Sequence, residues 1–326
     1  MTTIDVILDV DTGIDDAMAL MFAALRPEFN ILAVSCVAGN AELAQVGRNT
    51  REVLDLAGAS DVPVFLGAEK PLAQDAAPAG HVHGSNGLAD LHPADYGTVG
   101  IGAVDARPAV EGLRDIILRN PRPVTIVELA PMTNLAMLFE QYPEVLGNVD
   151  KVWVMGGAAT VGNATPVAEF NTWHDPEAAD ICLRAAPTLL YPLEVFYRPR
   201  VTDDDIAVLR AGTNRLANLA GDLLAGISEP YAGDSRVHEG SYRSCIGDAG
   251  LLCLMVDPTL AVIRRHPVRV ALHDPLTRGM TVVDQRWVDG REVQTAPMQW
   301  TTPILEVALD IDGDAIIRLF LDTLLN

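Results

Sequence analysis

Four aspartates occupy eight residues near the start of the chain, in the segment DVDTGIDD at positions 9–16. The apolar run at 4–8 before this segment predicts a strand, and the Ala-, Met- and Leu-rich stretch at 17–25 after it predicts a helix. In open α/β sheets, ligands bind at such strand-to-helix turns. Because four carboxylates this close repel one another, they favour a site for a hard divalent cation or for acid–base chemistry.

The spacing separates these aspartates into two pairs. Asp9 and Asp11 are two residues apart on an extended segment and are predicted to point the same way, whereas Asp15 and Asp16 are neighbours in a first helical turn and diverge. Helix capping alone would explain Asp15 or Asp16. It does not explain acidic residues in a strand, where Asp is disfavoured, so the cluster as a whole favours a metal-binding or catalytic role.

The rest of the chain predicts an α/β fold with an open, mainly parallel β-sheet flanked by helices, because β-branched runs alternate with helical patterns. The predicted strands lie at 31–37, 62–66, 124–129, 152–155 and 188–193, and the predicted helices include 46–58, 109–119 and 177–185. No repeat or linker interrupts the pattern, so we expect one domain over residues 1–326. Two irregular stretches, 69–108 and 226–247, fit either substrate-binding loops or ordinary surface excursions.

Composition excludes several classes of partner. The chain has 326 residues, and its 23 basic against 44 acidic side chains give a formal charge of −21. This charge argues against nucleic acid and against an anionic membrane as partners. The four cysteines lack CxxC spacing and the first residues lack the basic region of a signal peptide, so we expect a soluble, cytoplasmic protein.

Two loops carry further polar side chains that could do chemistry. In HVHGSNG, His83 precedes a glycine and is a candidate for contacting substrate or transferring a proton, whereas His81 fits a surface residue without a role. In GNATPVAEFN, Asn163, Glu169 and Asn171 could bind the hydroxyls of a sugar. Ordinary loop chemistry explains these three equally well.

Asp248 lies just ahead of the apolar stretch 251–256. Its simplest interpretation is the N-cap of a buried helix.

Taken together, these motifs resemble the inosine-uridine preferring nucleoside hydrolase family over nearly the whole length. The motifs that carry the resemblance are DVDTGIDDAMAL, the pair Gly39-Asn40, HGSNGL, APMTNLA, MGGA, GNATPVAEFN followed by DPEAA, Asp248 followed by VDP, and TRGMTVVD. Each motif alone is weak evidence. Their order and spacing make the resemblance specific.

The resemblance implies a cofactor and a set of site residues. A Ca²⁺ ion would be held by three carboxylates and one backbone carbonyl, those of Asp11, Asp16, Asp248 and Leu129. Oxygen-only ligation of this kind suits calcium. The ribose 2′- and 3′-hydroxyls would be bound by Asp15, Asn40 and Asn171. The 5′-hydroxyl would be bound by Asn163 and Glu169, and Met155 would pack against the sugar.

The implied activity is hydrolysis of the N-glycosidic bond of ribonucleosides, which gives ribose and free nucleobase. Asp11 would act as general base on a metal-bound water, since positive charge builds at the anomeric carbon as the base departs. The substrate would be a small-molecule nucleoside, and the enzyme a homodimer or homotetramer. The preferred nucleobase stays open.

The sequence departs from the family pattern on the side of the leaving base. Many relatives have a histidine, thought to protonate that base, immediately before the distal aspartate, whereas this chain has Gly247 there. The replacements considered are His83, His238, Tyr231 and Tyr242, or strong activation of the ribosyl group without an acid. Glu128 replaces a usual proline, with no expected effect on the chemistry.

Two other functions fit parts of the sequence. Asp9-Val10-Asp11-Thr12 also resembles the DxDxT motif of haloacid-dehalogenase-like phosphatases, in which Asp9 would be the nucleophile and Mg²⁺ the cofactor. That family's later lysine and acidic motifs are not evident here. A non-catalytic, calcium-dependent riboside-binding protein would explain the sugar-binding residues together with Gly247.

Overall fold

The computed structural model describes residues 3–77, 79–97, 102–228, 230–237, 239–288, 291–292 and 302–326. Within these residues the strands are β1 Ile4–Val10, β2 Phe29–Cys36, β3 Val64–Leu66, β4 Val104–Asp105, β5 Val124–Glu128, β6 Val149–Met155, β7 Thr188–Tyr191, β8 Arg200–Thr202, β9 Tyr242–Cys245, β10 Ala261–Val270, β11 Thr281–Val283, β12 Trp287–Val288, β13 Arg291–Glu292 and β14 Ile304–Ile311.

The helices in the same part of the chain are α1 Ile14–Leu25, α2 Leu43–Leu56, α3 Gly80–His83, α4 Ala109–Arg119, α5 Thr133–Gln141, α6 Phe170–His174, α7 Pro176–Ala185, α8 Leu193–Phe196, α9 Asp203–Ala211, α10 Arg215–Gly226, α11 Ala249–Val256 and α12 Gly313–Leu325. No helix among the described residues combines the length and the apolar character needed to span a bilayer.

Ten strands form one sheet in the order β11-β10-β14-β7-β6-β5-β1-β2-β3-β4. Strands from β14 through β4 in this order pair in parallel, while β10 pairs antiparallel with both β14 and β11. The predicted α/β fold with a mainly parallel sheet is therefore confirmed. The single-domain assignment of residues 1–326 stays a prediction.

Most predicted elements are present, with ends that differ by a few residues. The predicted helix 109–119 coincides with α4, whereas the predicted strand 188–193 ends at Tyr191. The strand stops there because Pro192 has no backbone N–H to donate to a ladder, and Leu193 already begins α8. The antiparallel edge formed by β10, β11 and β14 was not predicted.

The strand order reverses beside β1, and this reversal locates a crevice. From β1 the chain proceeds outward through β2, β3 and β4, then returns to the other side of β1 with β5 and continues to β6 and β7. Neighbouring crossovers therefore leave the sheet in opposite directions between β1 and β5. Ligands of open α/β sheets bind at the carboxyl ends of such strands.

Both faces of the sheet are buried. In β1, Val6, Leu8 and Val10 belong to one apolar cluster with residues of α1, α2, α10, α11 and α12, and Ile7 belongs to a second cluster with residues of α4, α5 and α7. All four side chains have no exposed surface. Strand alternation thus places helices on both sides and leaves the strand ends as the natural location for polar chemistry.

Gly112 of α4 gives a test of how closely the helices pack on this sheet. A Cβ at residue 112 would lie 2.5–2.8 Å from three atoms of the Phe65 ring of β3. We expect Gly112→Ala to lower the free energy of unfolding by about 1–3 kcal/mol, because overpacking outweighs the gain in helix propensity. Urea denaturation measures this. The control Gly147→Ala, where a Cβ meets nothing within 4 Å, should be close to neutral; equal effects of the two variants would contradict the packing argument.

Candidate active site

Three carboxylates converge where α1 and α11 begin. Asp15, Asp16 and Asp248 each offer an oxygen within 4.8 Å of the others. They meet at the carboxyl end of β1, beside the crevice between β1 and β5. No Lys or Arg of the described residues forms an ion pair with them, so no strongly basic side chain there compensates the negative charge of this group.

Asp16 both caps α1 and belongs to this cluster. Its Oδ2 accepts from the backbone N–H of Gly13 at 2.9 Å, and its Oδ1 accepts from the N–H of Asp11 at 3.2 Å. Burial, followed by the charge of Asp15, raises the pKa of Asp16 to about 7. The capping interpretation is therefore correct for Asp16, and the same carboxylate remains available to a cation through its free lone pairs.

Asp11 is held by the turn that follows β2. Its Oδ2 accepts from the Asn40 backbone N–H at 2.7 Å, and its Oδ1 accepts from the Asn40 side-chain amide at 3.1 Å. Gly39 makes this approach possible, because a Cβ there would lie 2.0 Å from Asp11 Oδ2. Burial, then the charge of Asp16, raises the pKa of Asp11 well above its usual range.

Asp248 does not cap the helix that it precedes. Its side chain accepts no hydrogen bond from the first turn of α11, and its buried Oδ1 has no partner in the described part of the chain. Burial, and then the charges of Asp15 and Asp16, raise the pKa of Asp248 well above its ordinary value. Asp248 therefore occupies the predicted N-cap position, but its side chain does not cap the helix, and its orphaned oxygen favours a positively charged ligand.

Leu129 and Asn171 complete the polar floor of the cavity. The Asn171 amide donates to the carbonyl oxygens of Leu129 at 3.1 Å and of Met155 at 3.2 Å. All three residues line one cavity of about 500 Å³, together with Asp15, Asn40 and Asp248. The structure thus brings an oxygen-rich set of donors and acceptors to the ends of β1, β5 and β6.

Glu169 and Asn163 lie further along this cavity. Glu169 is buried and caps α6 by accepting hydrogen bonds from the backbone N–H groups of Asn171 at 2.7 Å and Thr172 at 3.1 Å. Its carboxylate also accepts from the backbone N–H of Gly157 at 2.9 Å. Burial raises its pKa to about 7 despite these bonds. Asn163 is exposed at the rim. Loop chemistry therefore accounts for part of the Glu169 interactions, and both residues still face the cavity.

Aromatic residues form the other wall. Phe196, Tyr197, Tyr231 and Trp173 line it, and the first three make edge-on contacts, with ring centroids 5.1 Å apart for Phe196 and Tyr197 and 6.1 Å apart for Tyr197 and Tyr231. Nothing in the sequence patterns singled out Phe196, Tyr197 or Trp173. They come from helix ends and turns that only the packing brings together.

Gly247 has no room for a side chain. Its φ is +53°, and a Cβ would lie 2.8 Å from both the Asp15 Cβ and the Phe196 Cζ. A histidine at this position would be strained and would displace the Phe196 ring. The space beside Gly247 is therefore already taken by the Phe196 ring and Asp15.

His83 is buried beside the acidic cluster and neutral. Its Nδ1 accepts from the backbone N–H of Ile14 at 3.2 Å and lies 3.9 Å from Asp15 Oδ1. Burial lowers the pKa of His83. Because Nδ1 is an acceptor, the ring proton is on Nε2. His81 lines the same cavity but is exposed.

Two of the other candidates for a proton donor, Tyr231 and Tyr242, differ in whether they line the cavity. Tyr231 lines the cavity, whereas Tyr242 is on β9 and lies beneath the guanidinium of Arg200, 4.1 Å from its ring centroid. Tyr242 is not a cavity residue. His238 lies outside the described residues.

Asp9 belongs to a different set of contacts. It is fully buried, accepts from the Ser35 hydroxyl and from the Asn134 amide, and pairs in register with Glu128 of β5. Burial raises its pKa to about 7. Neither Asp9 nor Asp11 is among the residues that line the cavity, and both are almost completely buried. Asp11 binds Asn40, which does line the cavity, whereas the partners of Asp9 do not.

Comparisons with known proteins agree with this geometry. The family model described as inosine-uridine preferring nucleoside hydrolase matches residues 6–318. The pyrimidine-specific ribonucleoside hydrolase RihA of Shewanella woodyi is 36% identical over 320 residues, covering 98% of this chain and 97% of that protein. The inosine-uridine preferring nucleoside hydrolase of Leishmania major is 33% identical, with coverage of 98% and 96%.

Solved structures agree as well. A plant nucleoside hydrolase, PpNRh1, has a TM-score of 0.87 at 28% identity, and a purine-preferring ribonucleoside hydrolase from Gardnerella vaginalis has a TM-score of 0.84 at 25% identity. Both alignments cover 98% of each chain. The chain therefore belongs to the inosine-uridine preferring nucleoside hydrolase family and is an enzyme that hydrolyses the N-glycosidic bond of ribonucleosides.

Proposed function

We propose that this enzyme hydrolyses ribonucleosides with Ca²⁺ as cofactor and Asp11 as general base. The observation that carries the proposal is the group formed by Asp15, Asp16 and Asp248, with which no Lys or Arg of the described residues forms an ion pair, beside a cavity that also presents amides and Glu169. Buried like charges are unfavourable without a positive partner. A cation bound between the carboxylates and the sugar would balance the buried negative charge and help to hold the substrate in the polar cavity.

The donor set fits a hard cation. Each proposed ligand is an oxygen, and Oδ1 of Asp248 is buried with no partner within the described residues. Calcium accepts about 6 to 8 such oxygens in irregular geometry. The residues proposed to hold it are Asp11, Asp16, Asp248 and the carbonyl of Leu129. When bound, the ion would lower the pKa of a water molecule and help to orient the ribose diol.

Asp11 is suited to accept a proton. Asn40 holds both of its oxygens through N–H donors, which orients the carboxylate. In the proposed reaction the water oxygen bonds to the anomeric carbon, the bond to the base breaks with its electrons leaving on the base, and Asp11 takes the proton from the water.

Binding of the sugar is assigned to residues of the same cavity. The 2′- and 3′-hydroxyls would meet Asp15, Asn40 and Asn171, and the 5′-hydroxyl would meet Asn163 and Glu169, with Met155 against the ring. The polar side chains among these are carboxylates, which accept hydrogen bonds from hydroxyls, and amides, which both donate and accept.

His83 is the proposed catalytic partner on the other side of the bond. Because its proton is on Nε2 and its pKa is lowered by burial, we assign it hydrogen bonding to the substrate through Nε2–H instead of full proton transfer at neutral pH. Tyr231 is a further donor on that wall. The relatives are named pyrimidine-specific, inosine-uridine preferring or purine-preferring, so the proposal is for ribonucleosides as a class. The homodimeric or homotetrameric state and the cytoplasmic location stay predictions.

Release of ribose from a panel of purine and pyrimidine ribonucleosides tests the activity and its cofactor together. We expect turnover of at least one nucleoside, loss of turnover in a calcium chelator, and its recovery when Ca²⁺ is added back, because the cation compensates the buried carboxylates. Full activity in the chelator would overturn the proposed cofactor. Base release by the untreated enzyme would also exclude a protein that only binds ribosides.

Asp11→Asn tests the general base. The amide keeps the size of the carboxylate but accepts no proton, so we expect kcat to fall by about 10²–10⁴-fold. A matched control is Asp5→Asn, at the opposite end of the same strand, where the carboxylate binds Asn120 and Arg122. That variant should keep kcat even if it lowers stability. Undiminished turnover of Asp11→Asn, with the fold verified by circular dichroism, would remove Asp11 from this role.

The raised pKa values predict how the stability of the metal-free protein depends on pH. Asp16 and Glu169 titrate near pH 7 when folded and near pH 4 when unfolded, so their ionisation costs more in the folded state. At low pH both groups are protonated and favour the folded state. This contribution to the free energy of unfolding is lost as the pH rises from about 4 through 7. In the presence of a chelator, the midpoint temperature of thermal unfolding should decrease as the pH is raised from 5 to 8.

Added Ca²⁺ should raise the midpoint more at pH 8 than at pH 5, because it favours the ionised carboxylates. The control Asp248→Asn should lose most of this calcium-dependent shift. A shift of the same size in the wild type and in Asp248→Asn would place the ion elsewhere.

A further inference from the structure

Arg236, in the segment 230–237, joins three separate parts of the cavity wall. Its Nε and Nη2 donate to the carboxylate of Asp234 at 2.9 and 2.6 Å. Its Nη1 donates to the carbonyl of Gly162 at 3.2 Å, and its guanidinium lies over the Tyr197 ring, 4.4 Å from the centroid. Both Arg236 and Asp234 line the cavity.

Gly162 immediately precedes Asn163, the residue assigned to the 5′-hydroxyl. The turn around it is tight, since a Cβ on Gly162 would lie 2.3 Å from the carbonyl oxygens of Thr165 and Ala168. The backbone N–H groups of Asn163 and Thr165 both donate to the Ala168 carbonyl, at 3.1 and 3.2 Å. This turn is compact within itself, and the Arg236 bond to Gly162 ties it to the opposite wall.

Tyr197 is a second cavity residue that Arg236 contacts. The Arg236 guanidinium packs on its ring, and Tyr197 and Asn163 line the same cavity. Arg236 therefore holds the turn that carries Asn163 through Gly162 and also contacts the aromatic wall of the cavity.

Arg236 itself is poorly placed to bind an anionic ligand. Asp234 compensates its charge with a bidentate pair, and Nη1 is committed to Gly162. A guanidinium whose donors are used in this way acts as a clamp between protein segments. These contacts favour an indirect effect on the substrate, through the segments that Arg236 holds together.

We propose that Arg236 is a positioning residue that holds Asn163 for the 5′-hydroxyl of the substrate, so that preference for nucleosides carrying this hydroxyl depends on Arg236. The inference rests on the assignment of Asn163 in the proposed function. Asn163 is an exposed loop residue, and an exposed side chain loses conformational entropy when it binds. A clamp that orders it beforehand reduces this cost in the complex.

The test compares a ribonucleoside with its 5′-deoxy analogue in wild type and in Arg236→Met. We expect the wild type to prefer the 5′-hydroxyl substrate in kcat/KM by about fivefold to tenfold, which corresponds to one net hydrogen bond. Arg236→Met should lose most of that preference while its kcat/KM for the 5′-deoxy analogue stays within about twofold of wild type, since only the orientation of Asn163 is lost.

Arg200→Met is the matched control. Arg200 makes the same kinds of contact, with the Tyr242 ring at 4.1 Å and Glu239 at 3.1 Å, but it is not among the cavity residues. This control should keep the wild-type preference. Loss of the preference in both arginine variants would show a general effect on stability and overturn the inference.

A double-mutant cycle with Asn163→Ala guards against misfolding of the single variant. If Arg236 acts through Asn163, the double variant should discriminate no worse than Asn163→Ala alone. Additive losses would overturn the positioning role.

Equal losses on both substrates in Arg236→Met would also overturn that role, and would leave the proposed function standing. A wild type that treats both substrates alike would overturn the 5′-hydroxyl assignment of Asn163 and the inference with it. A wild type that releases no ribose would overturn the proposed function itself.

Discussion

Burial of like charges is the constraint on which the site depends. Asp11, Asp16 and Asp248 are almost completely buried, and each has its pKa raised by burial and by neighbouring carboxylates. Backbone N–H groups compensate part of the charge, most directly those of Gly13 and Asn40. The charge that these groups do not compensate destabilises the folded state, and a bound cation would remove this effect. Cation binding and stability are therefore linked through the same carboxylate oxygens.

The sheet topology brings this charge to one place. Asp11 follows β1, Asn40 follows β2 and Leu129 follows β5, and these three strands are adjacent at the point where the strand order reverses. Parallel strands end at the same edge of the sheet, so residues that are far apart in the sequence lie close together there. Close approach then needs residues without side chains: at Gly39 a Cβ would overlap the Asp11 carboxylate.

The two ends of the cavity are built differently. The end proposed to bind the sugar is formed by strand ends and helix starts, whose positions follow from the sheet. The opposite wall is formed by Phe196, Tyr197 and Tyr231 and is tied across the cavity by Arg236. Loops and helix ends vary more readily than a parallel sheet. This difference agrees with the names of the relatives, which differ in their preferred nucleoside.

The sequence by itself determined the parallel sheet, the strand and helix around the aspartates, and, through the family resemblance, part of the cavity lining, including Asp15, Asn40 and Asn171 but not the aromatic wall. Local periodicity and motif order carry that information. Only the tertiary structure decided that Asp9 is buried against Ser35, that His83 is neutral, and that the Phe196 ring occupies the space beside Gly247. These properties depend on burial and on contacts between segments as much as 69 residues apart, which no local pattern encodes, because desolvation and steric exclusion exist only once the chain is packed.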